Sequence, residues 1–265
     1  MIGVFDSGLG GLSVWKEIIK LLPDVSLFYV SDNAWCPYGP RPAEEVVERS
    51  RVISRFLIGK GCRLIVVACN TATAAAIDTL RQNFPIPFVG MEPAVKPAAL
   101  HSRTGVVGVL ATQGTFGGRL YRETSQRFAA HVQVLERVGT GLVELIEQGL
   151  TDTPQTETLL RTYIEPMMEA GADHLVLGCT HYPFLIPSIE KITCGRLTIV
   201  DPAPAVAQQV FLQWAEAVQA ADLRQEAAPT YWFYASGSED ELQARFQVLA
   251  PSSLPSTFFS GFCFP

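Results

Sequence analysis

Short apolar runs alternate with amphipathic segments along this chain, and that alternation restricts its fold more than any other feature. The runs at 2–5, 25–30, 64–68, 105–110, 132–135, 175–178, 197–200 and 231–234 have strand length, and residue 89 ends another. Between the first two, Leu12, Trp15, Ile18, Ile19 and Leu22 recur at helical spacing. Helices are predicted likewise over 44–58, 70–80, 119–128, 142–148, 159–168, 185–192 and 203–220. Residues 64–68 are apolar without a break, as in a strand covered on both faces. Strand–helix alternation predicts an α/β protein with parallel sheets. Hydrophobic residues make up 48% of the 265 and charged residues 17%, which supplies a core and excludes intrinsic disorder. No strictly apolar stretch approaches the roughly 18 residues of a spanning helix, so no membrane association is expected.

The pattern restarts midway. A Gly3-Val4 strand is followed by one ending in Ala68-Cys69-Asn70-Thr71, and a Gly108-Val109 strand by one ending in Gly178-Cys179-Thr180-His181. Cys69 stands 66 residues beyond Gly3, and Cys179 stands 71 beyond Gly108. Each half therefore places one cysteine at the carboxyl end of an equivalent strand, where open α/β sheets bind ligands. Two such ends facing each other form a cleft with a thiol on each wall. The Pro-rich segments 93–97 and 201–204 read as crossings. They divide the chain into a discontinuous first domain, 1–95 plus 206–265, and a second, 96–205.

Asp plus Glu exceeds Lys plus Arg, 26 to 20, for a net charge of −6 with no basic block, which argues against nucleic acid as a partner. An acidic residue and a Gly run arrive too early for a secretory signal. The six cysteines include no CxxC pair and are too few for a disulfide scaffold. A reducing cytoplasm and the absence of a structural metal site are expected.

Several segments could carry chemistry. Asp6-Ser7-Gly8-Leu9-Gly10-Gly11 joins a strand to a helix. It reads either as a simple N-cap or as an anion-binding turn with a carboxylate suited to an ammonium group. Tyr38 and the Gly39 amide, in a Pro/Gly loop, are candidate ligand contacts. Cys69 stands before a helix start with Asn70 and Thr71, where the helix dipole favours a thiolate. Cys179 repeats the arrangement with Thr180 and with His181, a group able to accept a thiol proton or to hold a thiolate. Glu147 and Glu144 share a helix and cannot be told apart by spacing. Opposed thiols suit inversion at a carbon: one removes a proton and the other delivers one. A hydrolase built on Cys179 and His181 is the rival chemistry, and it leaves Cys69 without a role.

The combined segments resemble the glutamate racemases of the aspartate/glutamate racemase superfamily. The resemblance rests on 3–11, Pro37-Tyr38-Gly39, 68–73, 90–97, Leu110-Ala111-Thr112 with Gly114-Thr115, and 177–183. It implies two Rossmann-like parallel-sheet domains related by a pseudo-twofold, with the active site in the cleft between them. It implies cofactor-independent interconversion of L- and D-glutamate, with Cys179 acting on the L-enantiomer and Cys69 on the D-enantiomer. Asp6 would assist Cys69, and His181 with Glu147 would assist Cys179. Asp6, Ser7, Tyr38, Gly39, Asn70, Thr71, Thr180 and His181 would bind the substrate. Supply of D-glutamate for peptidoglycan in a bacterial cytoplasm, no cofactor or metal, and a homodimer, as many members form, are further implications. A racemase of another amino acid such as aspartate, or a non-catalytic regulator on this fold, is the alternative. The chain departs from the family at Gly139-Thr140, where Cys-Pro is common, and at Gly117-Gly118, where a Ser is frequent.

Overall fold

Strand β1 (Ile2–Asp6) is buried along its whole length and pairs in parallel with β2 (Leu27–Ser31) on one side and β3 (Leu64–Val67) on the other. In this computed structural model, which describes residues 1–128, 131–221, 228–249 and 257–261, β4 is Phe88–Gly90, β5 Val106–Ala111, β6 Gln133–Val138, β7 His174–Gly178, β8 Thr198–Val200, β9 Tyr231–Ala235 and β10 Thr257–Gly261. One sheet has six strands in the order β10-β9-β2-β1-β3-β4, the other four in the order β6-β5-β7-β8. All described pairings are parallel.

The two orders correspond. From β1 the chain moves outward to β2, then crosses to β3 and β4 on the other side; from β5 it moves to β6, then crosses to β7 and β8. The reversal falls between β1 and β3 in one sheet and between β5 and β7 in the other. These switch points are where parallel sheets open a crevice at their carboxyl ends. Asp6 and Cys69 flank the first crevice, and Thr112 and Cys179 the second.

Helices cover both faces of each sheet. On one face of the larger sheet, Ile2 and Val4 of β1 pack with Leu12, Trp15 and Ile18 of helix Leu12–Leu21 and with Ala207 and Val210 of helix Ala203–Ala221. On the other, Phe5 packs with Ile53 and Leu57 of helix Ala43–Gly59 and Ala76 and Leu80 of helix Asn70–Asn83. Trp15 is fully buried and meets Tyr231, Phe233 and Phe246 edge-on at centroid distances of 5.2, 5.3 and 5.8 Å. Strand β9 and Phe246 of the late part of the chain are thereby held against the N-terminal half.

The predicted elements occur, with shifted ends. Helix Pro154–Glu169 begins before the expected 159 because Thr153 caps it, accepting from the Thr156 N–H, and Pro154 opens its first turn. The crossing at 93–97 holds the start of helix Val95–His101, with Pro97 in its first turn, where a missing N–H costs no helical bond. Helix Glu239–Leu249 and β10 had no expectation attached to them. Cys263 lies outside the described residues. Among those described, no helix is long and apolar enough to cross a membrane.

Candidate active site

Cys69 and Cys179 line one cavity of about 10 Å³ between the two sheets, with Ser7, Asn70, Thr71 and His181 also on its walls. Both cysteines are buried, at 5% and 6% exposure. The space holds about one water.

Cys69 is the N-cap of helix Asn70–Asn83, and its sulfur accepts from the Ala72 N–H at 3.5 Å. Its S–H faces Ser7 Oγ at 3.8 Å, and the Ser7 hydroxyl in turn donates to Asp6 Oδ1 at 3.3 Å. Asp6 thus reaches Cys69 through Ser7. The Asp6 carboxylate also accepts from the Gly8 N–H at 2.7 Å and from Thr180 Oγ1, in the opposite half, at 2.8 Å. Burial pushes Asp6 above the usual carboxylate range, against the His181 charge and the Gly8 and Thr180 bonds. Burial and the adjoining Asp6 carboxylate push the Cys69 thiol up, while the Ala72 N–H pulls the other way.

On the facing wall, His181 Nδ1 lies 3.8 Å from Cys179 Sγ, and Nε2 lies 2.6 Å from Glu147 Oε1. Nε2 also faces the Gly10 N–H at 3.2 Å. Its proton selects the partner: protonated, Nε2 donates to Glu147; unprotonated, it accepts from Gly10. Burial opposes the imidazolium, yet bonds to Cys179, Cys36 and Glu147 outweigh it and raise His181 well above its ordinary value. Burial likewise opposes the Glu147 charge, and the His181 and Leu9 bonds hold it below the ordinary value. Glu147 sits at the end of helix Leu142–Glu147, which begins after Gly141 at φ 85°, a conformation that favours glycine. Glu144 on the same helix is exposed. Gly139 abuts Tyr182, and a Cβ there would come within 2.3 Å of the Tyr182 hydroxyl oxygen. The glycine that departs from the family pattern therefore fits a close contact.

The glycine loop 8–11 touches the opposite half directly. Leu9 N–H donates to Glu147 at 2.7 Å, Ser13 Oγ donates to the Thr180 carbonyl at 2.9 Å, and a Cβ on Gly10 would lie 2.3 Å from His181 Nδ1. Only a bare backbone approaches this closely.

The remaining predicted residues gather here with different functions. Asn70 is buried, and neither atom of its amide group has a protein partner. A buried amide left in this way presents its NH2 donors and its carbonyl acceptor to a ligand. Thr71 Oγ1 meets Thr112 Oγ1 across the cleft at 2.8 Å. Tyr38 lines the cavity, but its hydroxyl donates to the buried Asp32, which Arg49 also holds at 2.8 Å. Tyr38 thus contributes a ring fixed from behind, beside the Gly39 backbone. Thr112, Pro37 and Val143 also line the cavity and were not among the expected site residues. The place of Thr112 just beyond β5, equivalent to that of Asp6 and Ser7 at the end of β1, was the available signal.

The family model for Asp/Glu/Hydantoin racemase matches residues 2–210. The chain is 52% identical over 210 residues to the glutamate racemase of Roseiflexus sp. (strain RS-1), covering 79% of this chain and 77% of that protein. It is 43% identical over 259 residues to the glutamate racemase of Stutzerimonas stutzeri (strain A1501), covering 97% of each. Among solved structures it resembles Escherichia coli glutamate racemase in complex with L-glutamate and the activator UDP-MurNAc-ala, with a TM-score of 0.85 and 31% identity over 99% of this chain and 97% of that one. It also resembles the Francisella tularensis enzyme in complex with D-glutamate, with a TM-score of 0.81 and 26% identity over 97% and 95%.

Proposed function

Since this chain belongs to the Asp/Glu/Hydantoin racemase family and is an amino-acid racemase, we propose that it interconverts L- and D-glutamate through its two cysteines. The observation that carries this reading is the pairing of Cys69 and Cys179 on opposite walls of one cavity, each with its own proton relay. On the Cys179 side, an imidazolium at His181 keeps Nδ1–H toward the sulfur, which removes the α-proton of L-glutamate. On the other side, the Cys69 thiol delivers a proton to the opposite face and is then reprotonated through Ser7. The reverse reaction exchanges the two roles. Asp6 acts on Cys69 through Ser7, and Glu147 keeps His181 charged. A free thiol ordinarily titrates near 8.5, so a thiol is a chemically suitable acid or base for a proton transfer of this kind.

Substrate binding follows from the same walls. The N-terminus of helix Asn70–Asn83 and the amides near Asn70 and Thr71 suit a carboxylate, and the buried Asp6 suits the ammonium group. Ser7, Tyr38, Gly39, Thr180 and His181 complete the contacts. We assign 1–95 with 206–265 to one unit and 96–205 to the other, their parting admitting the substrate. The glutamate racemases this chain resembles support the choice of glutamate over aspartate; a bacterial cytoplasmic setting and D-glutamate supply for peptidoglycan belong to the proposal. A homodimer is part of the same reading.

The direct test follows the α-proton by NMR in D₂O, with L-glutamate and no added cofactor, beside L-aspartate. Exchange with loss of optical rotation for glutamate is expected. Turnover of aspartate instead would overturn the substrate, and no exchange with either would overturn the mechanism.

Glu147→Gln isolates the His181 relay. Without the carboxylate the imidazolium loses the anionic partner 2.6 Å from Nε2, so the alkaline limb of kcat/KM from L-glutamate is expected to move to lower pH. The stability contribution has a defined window. His181, raised in the folded state, stabilises fully below its ordinary value of 6.5 and loses this as pH rises through its folded value. Glu147, lowered in the folded state, stabilises fully above its ordinary value of 4.5 and loses this as pH falls. The deficit of the variant against wild type in urea melts is therefore expected to be largest between those two values. An unshifted limb would remove Glu147 from the relay.

A further inference from the structure

We propose that Cys36, Glu147 and His181 form a site for a soft divalent cation, Zn²⁺ in particular, whose occupancy stops turnover. The inhibitory part rests on the racemase reading above; the binding part does not. The sulfur of Cys36, a carboxylate oxygen of Glu147 and a ring nitrogen of His181 all lie within 4.8 Å of one another. Thiolate, imidazole and carboxylate together are the ligand set zinc takes with a fourth position left to water.

The spacing is close to what the ion requires. Zinc–sulfur and zinc–oxygen bonds of roughly 2.3 and 2.1 Å in a tetrahedron set those two atoms about 3.6 Å apart, and Cys36 Sγ stands 3.7 Å from Glu147 Oε1. His181 Nε2 stands 2.6 Å from the same oxygen, where two zinc ligands need about 3.4 Å. The gap must widen by about 0.8 Å for both to bind one ion. The outer supports exist already: the Leu9 N–H holds Glu147, and His181 turns Nδ1 toward Cys179.

A route leads in from outside. A second cavity, of about 310 Å³, lies behind the substrate cleft and is lined by both Cys36 and Glu147. Among the described residues its walls add Glu144 and Glu241 against one cation, Arg245, a balance that draws cations. An ion arriving there meets Cys36 and Glu147, and His181 Nε2 stands 2.6 Å from the Glu147 oxygen. Binding sends the Cys36 thiol proton and any Nε2 proton to solvent, and replaces the His181–Glu147 hydrogen bond by two bonds to zinc. The relay to Cys179 is then fixed in one state, and the proton it must pass has no path.

Zinc chloride is titrated against the full chain in a non-chelating buffer, and racemisation is measured before and after. Inhibition of wild type that Cys36→Ala weakens about tenfold or more, each protein scored against its own zinc-free rate, is the expected result. Equal inhibition of both would place the zinc on Cys69 or Cys179 and overturn the site. Cobalt(II) supplies a readout independent of activity. One equivalent is expected to give a thiolate-to-cobalt charge-transfer band that zinc displaces and that Cys36→Ala removes. Absence of the band in wild type, or its persistence in Cys36→Ala and in Cys36→Ser, would equally overturn the proposal. If wild type lacks racemase activity while the band behaves as stated, the metal site stands and the functional reading falls.

Discussion

Serine in place of either Cys69 or Cys179 is expected to slow racemisation by about 10²–10⁴-fold, the range a positioned acid or base contributes. Both directions suffer in each variant, because the base of one direction is the acid of the other. A serine hydroxyl keeps the hydrogen-bond geometry but lacks a thiol's acidity, so the loss reads proton transfer rather than packing. The two variants are separable. In D₂O, Cys69→Ser retains Cys179, so the α-proton of L-glutamate is expected to exchange without inversion; Cys179→Ser is expected to lose that exchange. Polarimetry and NMR on the same samples check both. Ordinary racemisation by either variant would end the two-base reading, and loss confined to Cys179→Ser would favour the hydrolase alternative.

Trp15→Ala is expected to cost about 3–5 kcal/mol of stability, the cost of removing a large buried aromatic side chain. Trp15 is fully buried among Tyr231, Phe233 and Phe246, so its loss leaves a cavity that rigid neighbours fill poorly. It also loosens the helix that follows the glycine loop from the late strands that complete the larger sheet. The midpoint of urea unfolding is the measurement. A shift worth under about 1 kcal/mol would mean that the late segment contributes little to the core. The folded fraction is expected to keep an ordinary KM, because Trp15 lines neither cavity.

Much of the architecture was legible because burial is written locally. The unbroken apolar run at 64–68 marked a strand covered on both faces, and β3 is such a strand. Helix Arg119–Phe128 has its expected bounds, since its polar and apolar positions sort by local period alone. Strand β10, with alternate positions exposed at the sheet edge, lacks the continuous apolar run of a central strand. Helix Val95–His101 was obscured by Pro97, a residue that breaks helices elsewhere and is tolerated in a first turn.

The sequence by itself determined the fold class, the duplicated strand–helix order and the placement of one cysteine beyond each equivalent strand. These depend on periodicity and on residues within a few positions of each other. Spacing left Glu147 and Glu144 level and only the family resemblance named Glu147; the tertiary structure sets its carboxylate 2.6 Å from His181 Nε2. It decided that Asp6 approaches Cys69 through Ser7, that the Tyr38 hydroxyl turns away to Asp32, and that Cys36 joins Glu147 and His181. The bonds from Leu9 to Glu147, Gly10 to His181 and Thr180 to Asp6 span 138, 171 and 174 residues of chain. No local pattern encodes such pairings. They arise only when two parallel sheets present the carboxyl ends of their central strands to each other.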